Sequence, residues 1–162
     1  MNHAEIVRRY LKNKKDVDIP SGGLPFVTIS RQAGAGGHTL GRDIIRELDK
    51  LDDPHIRSDW EMFDQKLCAM IAQDKELPAS FDALIAEEYH SGIQQSILEM
   101  LLGRTEQYDL QKKISEVVRL LATIGKVVII GRGGMCLTQG MPQGIRLRLI
   151  APEPIRVKGM AA

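Results

Sequence analysis

The segment VTISRQAGAGGHTLGR, Val27 to Arg42, constrains the fold of this chain more than any other. Phe26 to Ile29 is apolar and β-favouring, and it runs straight into Gly34, Gly36 and Gly37. Leu40, Ile44, Ile45, Leu48 and Leu51 then recur at helical spacing. A strand, a glycine turn and a helix in immediate succession point backbone N–H groups into a concavity at the positive end of a helix dipole. Glycine suits such a turn because a Cβ would obstruct both the bend and a close phosphate. Arg31, His38 and Arg42 add donors or charge beside it, and Thr39 adds a hydroxyl. The strict G-x-x-x-x-G-K-[ST] pattern is absent: Arg31 holds the first glycine position, Gly37 the lysine position and His38 the Ser/Thr position.

A second glycine cluster repeats the arrangement. Lys126 to Ile130 reads KVVII, an apolar run suited to a strand buried on both faces, and Gly131-Arg132-Gly133-Gly134 follows. In open α/β sheets ligands gather at such strand ends, where a guanidinium can grip a phosphate through two bonds. Around these two units the chain reads as strands separated by helices, which argues for a parallel α/β sheet. Residues 1–24 read as a basic helix (Ala4 to Lys15) and a turn-rich linker, and 25–162 as the main domain. His55 to Arg57 is expected to be a short second strand. Trp60, Phe63, Leu67, Met70 and Ile71 mark a helix face with Asp59 as its cap. Ile93 to Leu102 mark another helix. Ile114 to Ile124 mark a third, stopped by Gly125. Ile145 to Ile150 is expected as a strand with Arg146 and Arg148 on a solvated face, and Pro152 opens a last helix.

Composition excludes several classes. The 162 residues carry a net charge of +1, so a nucleic-acid-binding role falls behind the others. Uninterrupted apolar runs such as Val127 to Ile130 are far short of a membrane span, and Met1 to Lys15 lacks the apolar core of an export signal. A cytoplasmic location is therefore expected, with Cys68 and Cys136 as free thiols. The histidines and cysteines lack metal-ligand spacing. From Gln111 onward nine basic residues face only Glu116 and Glu153, which suits an anionic ligand.

ISRQAGAGGHTLGR, FDQKLCAMIAQD, AEEYHSGI, LLATIGKVVIIGRGG and RLIAPEPIRVK together resemble the cytidylate kinase-like family of P-loop proteins, from about Phe26 to Lys158. The resemblance implies a parallel sheet of order 2-3-1-4-5 flanked by helices, whose lid and last strand would follow Ala162. It implies ATP and Mg²⁺, with CMP or dCMP as acceptor and nucleotides as partners. Carried over, Gly34, Gly36, Gly37, His38 and Thr39 would cradle the ATP phosphates, with Thr39 toward the metal and His38 or Arg31 aiding transfer. Arg132 would touch the acceptor phosphate, Arg119 would be a second candidate for it, and Asp59 or Asp64 would face the acceptor nucleoside or the metal. The chain departs from the family at Gly37, where a lysine is usual, and at Gly133, where an aspartate is usual. A non-catalytic nucleotide-binding module is the alternative, and a homo-oligomer is neither required nor excluded.

Overall fold

Alternation of apolar side chains over two faces explains the centre of the molecule. In β1 (Phe26–Arg31) and β3 (Val127–Ile130), successive side chains enter opposite cores, and all of β3 is buried. The computed structural model describes residues 3–14, 23–53, 55–73, 106–131 and 133–161. With β2 (Glu61–Asp64) and β4 (Gly144–Leu149), these strands form one parallel sheet in the order β2-β3-β1-β4. Ile29 pairs with Ile130 on one side of β1, and Arg31 with Leu149 on the other.

Helices cover both faces. On one, α2 (Gly37–Leu48) lays Leu40, Ile44, Ile45 and Leu48 against Val27, Ile29, Val128 and Ile130. On the other lie α1 (His3–Lys14), α3 (Gln65–Gln73), α4 (Glu106–Ile124) and the single turn α5 (Gly134–Leu137). Val7 and Tyr10 of α1 are fully buried there, so the basic N-terminal helix is part of the core. The Tyr10 ring meets the edge of Phe63, and its hydroxyl donates to the Gly125 carbonyl. The last element, α6 (Glu153–Ala161), buries none of its side chains.

Several sequence expectations need correction. His55 to Arg57 is a turn: the Asp53 carboxylate accepts the His55 N–H, and its carbonyl accepts those of Ile56 and Arg57. The second strand is Glu61–Asp64, formed because its backbone pairs with β3 along four residues. Tertiary pairing thus overrides the helical spacing of Trp60 and Phe63. The helix begins only at Gln65, capped by Asp64 rather than Asp59, with Asp64 Oδ1 accepting the Leu67 N–H at 2.8 Å. Asp59 instead holds a left-handed turn at φ 60°. α2 stops at Leu48, leaving Leu51 exposed. In β4 Arg146 is half-buried, stacked over Phe26 and donating to the carbonyls of Thr138, Met141 and Gly144. Ile145 is 59% exposed in its place. The helix expected around Ile93 to Leu102 lies outside the described residues.

Candidate nucleotide site

The chain leaves β1 over the α2 face to reach β2, and leaves β3 over the opposite face, through α5, to reach β4. The carboxyl ends of β1 and β3 are therefore a switch point, where connections diverge and a crevice opens. Both glycine clusters lie there. The turn after β3 is stitched to β1, the Gly131 N–H donating to the Ile29 carbonyl and Ser30 Oγ to that of Gly131. Arg132, between Gly131 and Gly133, lies outside the described residues.

The loop from Gln32 to Gly36 ends in α2, and the three glycines serve three different contacts. Gly36 is the N-cap, at φ 83°, and no side chain caps the helix. The first N–H groups of α2 therefore remain available as donors. A Cβ on Gly36 would meet nothing within 4 Å, so the space beside those donors is open. Gly34, at φ 74°, packs against backbone instead: a Cβ there would overlap the Arg156 carbonyl of α6. Gly37 is buried beneath the Arg31 side chain, whose Cδ occupies the place a Cβ would need. The lysine of the usual motif has no room at this position unless Arg31 moves.

Open space beside uncapped helix donors suits a phosphate group. His38, in the first turn of α2, places Nε2 3.3 Å from Asp64 Oδ2 at the end of β2. The two side chains are 42% and 33% exposed, so the pair is partly solvated. Thr39 is exposed in the same turn. Arg31, Gly36, Gly37, His38, Thr39 and Asp64 thus share one end of the sheet.

Asp59 and Arg119 do not join them. Asp59 precedes β2 and so lies at its amino end, held by Asn13 Nδ2 at 3.1 Å and offering its carbonyl to Lys14. Arg119 sits five residues before the end of α4, about 7.5 Å along the axis from that helix end. Its Nε donates to the Leu137 carbonyl at the close of α5. Neither position has a local signal that separates it from a site residue, because sequence spacing does not tell which end of a strand a residue occupies.

Gln32, and the contact that α6 makes with the glycine loop, escaped the sequence reading. Gln32 Oε1 accepts the Ala151 N–H at 3.0 Å, and its own N–H donates to the Leu149 carbonyl, tying the loop to the end of β4. Cys68 is a core thiol as expected; burial first, then Asp64, pushes it up to about 12. Among the described residues no His, Cys, Asp and Glu cluster could hold a metal alone. No helix among them is long and apolar enough to cross a membrane.

A parallel α/β sheet flanked by helices, with a glycine loop leading into a helix at its switch point, defines a P-loop kinase-like protein. More closely, the chain belongs to the cytidylate kinase-like family, whose model matches residues 26–162. That membership places it among nucleotide kinase-like proteins. Neither the curated proteins nor the solved structures compared with it contain a match.

Proposed function

We propose that this protein transfers a phosphoryl group from ATP to a nucleoside monophosphate of the CMP or dCMP type. The open space beside Gly36, next to uncapped donors of α2, carries this reading. The N–H groups of Gly37, His38 and Thr39 would hold the donor phosphates, with the helix dipole favouring their charge. Arg31 supplies the cation that Gly37 lacks, since its stem crosses Gly37. His38 adds a donor in the first turn, and Thr39 offers a hydroxyl toward Mg²⁺. A magnesium ion bound beside Thr39 would supply positive charge toward the phosphates. Arg132, following β3, would grip the acceptor phosphate and hold it in line. Asp64, at the end of β2, stands beside His38.

A binding module without catalysis is the second reading. The occupied space above Gly37 favours it, since the family lysine cannot be accommodated there without displacing Arg31. A coupled assay with ATP, Mg²⁺ and a panel of nucleoside monophosphates separates the two. Turnover, highest with CMP or dCMP, is the expected result. ATP binding without turnover on any acceptor would assign the module instead.

A further inference from the structure

The helix α6 contributes no buried side chain, and Ile155, Val157 and Met160 on it are all more than half exposed. Its backbone nevertheless lies in close contact with the glycine loop. A Cβ on Gly34 would overlap Arg156, and a Cβ on Gly159 would overlap the Gly34 carbonyl. Arg156 and Gly159 are three residues apart, so one helix face makes both contacts. Gly34 is needed at its place for conformation as well, because φ is +74°.

Gly159 has no such conformational reason. It is helical, and alanine there would favour the helix by roughly 0.5–1 kcal/mol. Its side of the contact is the one structural ground for a glycine at that position. Three hydrogen bonds lock the approach: Gln32 N–H to the Leu149 carbonyl, Ala151 N–H to Gln32 Oε1, and Arg156 Nε to the Ala151 carbonyl. The start of the loop and the start of α6 are thus tied together through backbone and side-chain hydrogen bonds.

We infer that Gly159 is a positioning residue for nucleotide binding: by letting α6 approach Gly34 backbone to backbone, it sets the curve of the loop that presents the Gly37, His38 and Thr39 N–H groups. This inference rests on the proposed reading of the loop as a phosphate cradle. A methyl group at Gly159 forces Gly34 away from α6, and the displacement passes through Ala35 to the N-cap. The core is untouched, since α6 packs nothing into it.

The test compares Gly159→Ala with Val157→Ala, an exposed neighbour on the same helix. Three quantities are measured on each: ATP dissociation constant, thermal midpoint, and amide hydrogen exchange across residues 33–40. Gly159→Ala is expected to weaken ATP by roughly 10- to 100-fold, the cost of an ångström-scale misplacement. It should raise exchange in the loop while the thermal midpoint stays near that of the parent. In the coupled assay KM for ATP should rise and KM for the acceptor should not. Val157→Ala is expected to match the parent throughout. Unchanged ATP affinity and unchanged loop exchange in Gly159→Ala would overturn the inference. If the parent itself binds no ATP, the phosphate reading fails instead, and the positioning role toward nucleotide falls with it even where loop exchange rises.

Discussion

His38 Nε2 lies 3.3 Å from Asp64 Oδ2, joining the first turn of α2 to the end of β2 across the mouth of the candidate site. The other oxygen of Asp64 accepts the Leu67 N–H and caps α3, so one carboxylate serves both helices. Asp64→Ala should therefore cost about 0.5–2 kcal/mol of stability through the lost cap. Asp64→Asn keeps a side-chain acceptor for Leu67 and should cost clearly less. His38→Ala should change stability by less than about 1 kcal/mol, because the pair is partly solvated. Denaturant titration of the three variants checks the order.

Gly36→Ala places a methyl group in the open space beside the α2 donors, and Gly36→Val fills it. Both also pay for an L side chain at φ 83°, on the order of 1–2 kcal/mol. ATP binding should be weakened by Ala and abolished by Val, measured by calorimetry under conditions where each variant remains folded. A Val variant that binds ATP like the parent would reduce the loop to a connector.

Arg132→Ala should weaken the acceptor while ATP affinity stays within a few-fold, since a charge-assisted phosphate bond contributes roughly 1.5–3 kcal/mol. Separate titrations with CMP and with ATP distinguish the outcomes. Equal losses for both ligands would move Arg132 away from the acceptor.

Lys14 sets an alkaline pH dependence. Burial first, then Lys126, lowers its ammonium to about 8 against the opposing pull of Asp59 and Glu61. The unfolded chain keeps this proton up to its usual 10.5, so between the two values the unfolded state binds more protons. Stability from this group therefore rises with pH through that window, and the penalty for the buried charge is present in full below it. Cys68, pushed up to about 12, works in the opposite direction above its ordinary 9.0. The clean interval is about pH 7 to 9. Thermal midpoints across it should rise in the parent and flatten in Lys14→Met, which removes the charge and keeps the stem.

The parallel α/β class, the strands β1 and β3, the loop between Phe26 and Gly37, and the stop of α4 at Gly125 are all legible in the sequence. Each rests on a local rule: an apolar run bounded by glycines, or a left-handed residue (here φ 79°) ending a periodic helix. The second strand is not legible. Four residues, Glu61 to Asp64, carry too little pattern of their own, and only the exposed edge of β3 makes them a strand. The same is true of the choice between Asp59 and Asp64, which differ by the length of one strand and so stand at opposite ends of the sheet. Arg146 looks like a surface residue by alternation and becomes half-buried because the turn after α5 offers it the carbonyls of Thr138 and Met141, and the start of β4 that of Gly144. Most plainly, GAGG is visible as a phosphate-type turn, yet the separate duties of its glycines are set from elsewhere. Gly34 is required by α6, Gly37 by the stem of Arg31, and Gly36 alone opens onto empty space. A sequence determines what a backbone can do locally; which atoms come to stand beside it is decided by the folded chain, for Gly34 by an element more than a hundred residues away.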